Sequence, residues 1–350
     1  LASTAMAAFA GAAAAEVVAE GPGTISLSGN AELGAFGGTV TVDHSLDGAD
    51  DTEITEKLQF WQEIDLDITF TGETDGGLTF GADFDIDEAD NLGNASDDMG
   101  VTVFSGSEFG NLTMGDTDGA LDFVLTEAGN INNPGSINDA ETVHLGYMGS
   151  WLDGQGDGQV VRYDYGFDAF SVALSLEQHD DCAGGGFILE ASGPGTPEDP
   201  ECDDTELTWG VAGGYTFDFD GGSVSIGLGY QQASSVDTVF LVSNDTNDTG
   251  SINNLLGDDF DLVTDPTAAL LDDGADSPGQ ASMVGTSAVY SSDLGFAAGI
   301  SYFTTSFEDV DEDLTHIGIG GGYTFDAISV HANWGQYSIE DYTISGYGLS

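Results

Sequence analysis

From Glu63 to Phe70 polar and apolar residues alternate without a break: Glu63, Asp65, Asp67 and Thr69 against Ile64, Leu66, Ile68 and Phe70. After a turn at Gly72–Gly77 the alternation resumes, with Leu78, Phe80, Ala82, Phe84 and Ile86 on one face and Asp83 and Asp85 on the other. Side chains of a strand point alternately to its two faces. The segment therefore predicts a β-hairpin with one apolar and one acidic face. Runs of the same kind, bounded by Gly, Asp and Ser, fall at 24–37, 60–71, 78–87, 100–105, 111–116, 159–165, 170–177, 207–217, 224–231, 283–290, 296–304, 314–325, 328–335 and 342–349. That is about fourteen strands by the period-two criterion.

The links between runs sort by parity. Those after the even-numbered runs are short: Gly72–Gly77, Gly106–Gly110, Gly166–Ala169, Asp218–Ser223, Ser291–Gly295 and Asp326–Ala327. Those after the odd-numbered runs are mostly long, among them 38–59, 117–158, 178–206 and 232–282. Short turns on one rim and long loops on the other, with walls apolar on one face, predict an all-β transmembrane antiparallel barrel. Aromatics near the run ends, such as Tyr163, Tyr165, Phe167, Tyr215, Phe217, Tyr323 and Phe325, suit girdles at the two membrane–water interfaces. The opposite face carries Asp, Thr, Ser and Gly, which reads as the lining of a water-filled lumen. Asp65, Asp67, Asp83 and Asp85 are its acidic members, and His316 and His331 fall on the same inner face as wall polarity or as titrating pore residues.

Composition adds a constraint. The chain has 63 Asp+Glu and 2 Lys+Arg, a formal net charge of −61. Such an excess excludes nucleic acid as a partner, because phosphate binding needs cations. It calls for screening by salt or divalent cations. The 40% of hydrophobic residues, regularly alternating, argue against disorder. No apolar run of about 18 residues lies beyond the N-terminus, so no transmembrane helix is expected. Leu1–Ala15 is small and apolar and ends in Ala13-Ala14-Ala15 before Glu16. It reads as the remnant of a signal peptide with its cleavage site, or alternatively as a short buried helix. Residues 16–350 are then one barrel domain. A chain ending at Ser350 inside an apparent strand, without a terminal aromatic, leads us to expect one further hairpin and sixteen strands in an intact protein.

The link 117–158 is too long for a simple turn, and loops of that length are usually functional or disordered. Folded inward, it would form a constriction with Asp116, Asp118, Asp122, Glu127, Asp139 and Glu141 along the path. Rings of acids favour cations. Arg162 alternates with Val160 and Asp164, opposite Val161, Tyr163 and Tyr165, and so points into the lumen. An eyelet role and a structural ion pair with a loop acid both fit it.

Several stretches then resemble a known family. They are Met114-Gly115-Asp116-Thr117-Asp118-Gly119-Ala120-Leu121-Asp122, Glu127-Ala128-Gly129-Asn130, Asn133-Pro134-Gly135-Ser136-Ile137 and Asp157-Gly158-Gln159-Val160-Val161-Arg162-Tyr163. They look like the general porins of Rhodobacter-type alphaproteobacteria. The resemblance implies a homotrimer of sixteen-stranded barrels in the outer membrane, surrounded by lipid and lipopolysaccharide, with the third loop folded inside. It also implies passive diffusion of small hydrophilic solutes and ions, cations included, and calcium held by acids near that loop. The family sets basic wall residues across from the acidic loop; this chain offers only Arg162 there.

Other chemistry is thinner. Asp153-Gly-Gln-Gly-Asp157-Gly offers clustered oxygen ligands for calcium but lacks the later glutamate of an EF-hand. No other cofactor is called for. Cys182 and Cys202 share one inferred external loop, and either a disulfide or free thiols fit them. His44, His144, His179, His316 and His331 lie far apart, and no Gly-x-Ser-x-Gly or His-Glu-x-x-His motif is present, so no enzyme is expected. The competing reading is a secreted, calcium-stabilised β-solenoid or surface-layer protein of a halophile. It lacks a visible repeat of fixed period.

Overall fold

The structure is a computed structural model that describes residues 9–10, 23–36, 39–44, 52–55, 59–86, 101–115, 117–132, 152, 159–178, 207–236, 279–308, 313–326, 328–339 and 342–349. The first strands are β1 (Phe9–Ala10), β2 (Gly23–Phe36), β3 (Thr39–His44), β4 (Thr52–Thr55), β5 (Gln59–Glu73) and β6 (Thr79–Ile86). Next come β7 (Val101–Ser107), β8 (Gly110–Gly115), β9 (Val160–Phe167), β10 (Phe170–Gln178), β11 (Leu207–Phe219) and β12 (Gly222–Val236). The series ends with β13 (Gly279–Ser292), β14 (Phe296–Phe307), β15 (Leu314–Phe325), β16 (Ile328–Ile339) and β17 (Tyr342–Leu349).

Among the described residues every pairing is antiparallel, and all join neighbours in the chain except β2–β5 and β17–β3, the last of which closes the ring. From β5 to β17 each strand pairs with the next. β2 pairs with β5, and β3 with β4, so these four pieces form the two arms of one long hairpin. β17 then pairs with β3 through Tyr342↔His44 to Ser345↔Thr41. The result is a barrel of 14 staves closed among the described residues. β1, inside the expected leader remnant, pairs with Leu33 and Glu32 of β2. An antiparallel ring of this kind is not a β-solenoid, whose coils stack in parallel.

The turns follow from local chemistry. Asp168 and Asp326 take the left-handed conformation at φ 50° and 55° in the tight β9–β10 and β15–β16 turns, and Gly221 takes φ 97° between β11 and β12. Aspartate and glycine are the residues that tolerate this region.

Burial alternates with period two in the upper strands, and the outward face is the apolar one. In β11, Trp209, Val211, Tyr215 and Phe217 are exposed, whereas Thr208, Gly210 and Ala212 are buried. From Trp209 to Phe219 is about 34 Å of strand at ~3.4 Å per residue. Tilted ~45°, that gives a band ~24 Å tall, the height of a hydrocarbon layer. Its lower border is a row of touching rings: Phe167–Phe170 at 5.3 Å, Phe170–Tyr215 at 4.6 Å, Phe219–Tyr290 at 6.1 Å and Tyr290–Phe296 at 6.4 Å between centroids. All sit beside the short turns. The girdle read from the sequence is therefore present on that rim.

Candidate constriction site

The segment after β8 enters the barrel. Gly119 precedes a single helical turn, α1 (Ala120–Val124), and a 3-10 turn follows at Ala128–Asn130. The segment starts beside β9, crosses β10, β11 and β12 with α1, and reaches β14, β15 and β16 with the 3-10 turn. Ala120, Leu121 and Ala128 are fully buried, and Leu125 and Ile131 nearly so. Ala120, Leu121 and Leu125 share one cluster with inward-facing wall residues that are small or apolar, such as Ala173, Ala212, Met283 and Phe303. Wall hydroxyls and an amide bind the loop backbone. The Ala120 amide donates to Ser175 Oγ at 2.9 Å, that of Thr126 to Ser287 Oγ at 3.0 Å, and that of Leu152 to Gln231 Oε1 at 3.0 Å. These pairs satisfy donors that a loop packed out of water would otherwise leave unpaired.

This changes the picture of the inner face. The sequence predicts a water lining all round; from β10 to β16 the inner face is instead a packed core under the loop. Small and hydroxyl side chains suit both environments, and here they allow close approach. His316 lies in that core, stacked on Phe303 at 5.8 Å and tilted against Tyr337 at 4.4 Å, and is 1% exposed. His331 is 3% exposed. Asn333 Nδ2 donates to its Nε2 at 2.9 Å, which leaves Nδ1–H to donate to the Ile131 carbonyl at 2.7 Å. Both histidines face inward as expected, but beneath the loop rather than on open water. Glu127 is likewise buried against the wall.

Arg162 anchors the loop root. It is 7% exposed. Its Nη1 donates to Thr117 Oγ1 at 3.2 Å and to the Asp118 carbonyl at 2.7 Å. The same nitrogen is 4.0 Å from Asp118 Oδ2, and Nε is 3.7 Å from Asp164 Oδ1. The guanidinium carbon lies 3.9 Å above the centroid of the Phe123 ring. Asp164 also accepts from Asn111 Nδ2 at 2.8 Å. The alternation placed Arg162 inward correctly. Thr117 and Phe123 as its partners carry no local signal, because they lie some forty residues away in the chain.

The wall away from the loop is different. Asp67 accepts from Ser28 Oγ at 3.1 Å and Asp83 from Thr69 Oγ1 at 2.6 Å, and all four side chains are half-buried. Asp65 is paired in the backbone with Asn30, and Asp85 with Asp67. Of the loop acids, Asp118 is exposed and Asp122 half-buried. Asp116, Asp139, Glu141, Asp153, Asp157, Cys182, Cys202 and Lys57 lie outside the described residues. Among the described residues no three His, Cys, Asp or Glu side chains converge to hold a metal ion, so the calcium expectation rests on Asp153 and Asp157. No described helix is long and apolar enough to cross a membrane, which leaves crossing by strands untouched.

A family model described as Gram-negative porin matches residues 2–350. The chain belongs to that family. A porin of Rhodobacter capsulatus is 31% identical over 175 residues, half of this chain and half of that protein. The chain thus spans half the length of that curated relative. A solved porin refined at 1.8 Å resolution is 18% identical, covers 93% of this chain and 100% of its own, and superposes with a TM-score of 0.42. A mutant of Rh. blastica porin is 16% identical, with 93% and 99% covered and a TM-score of 0.38. Family membership places this porin in the outer membrane. The halophilic solenoid reading is not favoured.

Proposed function

We propose that this porin forms a water-filled channel for passive diffusion of small hydrophilic solutes and ions, that it prefers cations, and that it works as a homotrimer in lipopolysaccharide-bearing lipid. The water path runs between the outer side of the loop and the wall formed by β2, β5 and β6. One observation supports the cation preference above the rest: Arg162, the only Lys or Arg among the described residues, is buried and occupied by the loop root. The half-exposed acids Asp67 and Asp83 on the free wall then face water with no opposing cation among the described residues. Oriented acids along a water-filled path draw cations and repel anions.

The test is electrical. Refolded protein in planar bilayers gives conductance steps, and the reversal potential in a KCl gradient takes the sign of cation preference. A reversal potential of anionic sign refutes the assignment of the lumen field. Calcium enters this reading only as a ligand of loop acids such as Asp153 and Asp157, where it screens charge. Titration calorimetry with the Asp153→Asn, Asp157→Asn double variant tests that part separately.

A further inference from the structure

The inner face of β15 reads His316, Gly318, Gly320, Gly322, and at two of these glycines the nearest loop atom belongs to the main chain. A Cβ built on Gly320 would stand 2.1 Å from the Ala128 carbonyl oxygen and 2.8 Å from its carbon. One built on Gly322 would stand 2.7 Å from the Asn132 oxygen. At Gly285 and Gly229 the nearest loop atoms are side-chain carbons, Leu125 Cδ2 at 2.8 Å and Leu121 Cγ at 2.9 Å, which can shift by rotamer change. Main chain cannot. The next strand adds the hydrogen bond from His331 to the Ile131 carbonyl, between the two glycine contacts.

We propose that Gly320, with Gly322 and His331, is the seat that sets the calibre of the pore. The loop backbone rests on bare main chain of β15, and His331 holds it down. Any side chain at position 320 lifts the loop by about 1 Å toward the open lumen, because a Cβ essentially never packs closer than 3.0 Å to another atom and the Ala128 oxygen stands at 2.1 Å. That displacement is subtracted directly from the free width. The proposal rests on the channel reading above and assigns the residues that fix its dimensions, away from every acid that sets its charge preference.

The experiment compares Gly320→Ala and Gly320→Val with Gly213→Ala, whose added methyl on the outward face meets nothing nearer than the Ser171 oxygen at 3.7 Å. Two readouts are taken on refolded protein: single-channel conductance with reversal potential, and hydrogen exchange of 117–132 by mass spectrometry. Gly320→Ala is expected to lower conductance on the order of 1.2- to 1.5-fold with the reversal potential unchanged, and Gly320→Val to lower it further. Exchange in 125–132 speeds up while the strands stay protected. His331→Ala, which adds no bulk, speeds the same exchange and covers the case in which the Gly320 variants do not fold. Wild-type conductance and wild-type exchange in folded Gly320 variants, or unchanged exchange in His331→Ala, overturn the seat. Wild-type protein without conductance steps overturns the channel reading instead, and exchange alone then judges the seat.

Discussion

Replacing Arg162 separates a lumen charge from a clamp. The Ala variant removes two hydrogen bonds from a guanidinium, at 3.2 and 2.7 Å, and a ring contact at 3.9 Å. Hydrogen bonds to a charged group contribute about 1.5–3 kcal/mol each, and an Arg on a half-exposed ring about 0.5–1 kcal/mol. The pair with exposed Asp118 adds less than about 1 kcal/mol. Freed side-chain entropy offsets part of the sum, so the loop root loses about 3 kcal/mol. At about 1.4 kcal/mol per decade, detached conformers rise on the order of 100-fold. The purely electrostatic effect is far smaller: a unit charge ~10 Å from the path in water is worth ~0.4 kcal/mol, or about a two-fold change in local cation concentration. Single-channel recordings of Arg162→Ala are therefore expected to be noisy, with frequent sub-levels and only a slight gain in cation preference. Arg162→Lys keeps the charge but loses the planar fork and the stacking; it should be noisy with wild-type selectivity. Quiet traces from both variants, with a selectivity change in Ala alone, refute the clamp.

Three further outcomes follow from the same geometry. The Asp67→Asn, Asp83→Asn double variant lowers cation preference in a KCl gradient, and millimolar calcium lowers that of the wild type; insensitivity to both would move the selective charge elsewhere. Leu121→Ala leaves a cavity under α1 worth about 2–5 kcal/mol of local packing, read as faster exchange in 117–132 with the barrel still folded in gel-shift assays. Leu228→Arg, on the outward face at 60% exposure, costs the barrel roughly 2–4 kcal/mol if that position lies near the bilayer midplane; urea denaturation in lipid measures it, and no loss would take Leu228 out of the hydrocarbon.

The walls were legible because lipid enforces the alternation. Leu314–Phe325 and Tyr342–Leu349 agree with the period-two runs at both ends, and the other runs differ by a few residues. Thr39–His44 and Thr52–Thr55 fall in the link 38–59, where the pattern predicts a loop. They pair near the long-loop rim, where no bilayer demands an apolar face, and Thr-Glu-Ile-Thr, although built mostly of strand-forming residues, is too short to show a period. The direction of Arg162 followed from its parity. Its grip on Thr117 did not, and neither did the packed half of the lumen. Gly, Ala and Ser at inner positions specify closeness without saying whether water or chain fills it, and the contact itself joins residues far apart in sequence.

That crossing segment also dictates when the channel acquires its shape. Thr126 bonds a residue 161 positions later and Ile131 one 200 positions later. Neither contact can form until β13 and β16 are standing, and such distant pairings are slow to close. The loop is consequently a late arrival in assembly and a cross-brace once there, tying residues 120–132 to strands of the last third of the chain through the interior. A nascent barrel would pass through a stage that is wall-complete, wide and leaky before the brace drops in. Time-resolved exchange during refolding should show the strands protected before 120–132.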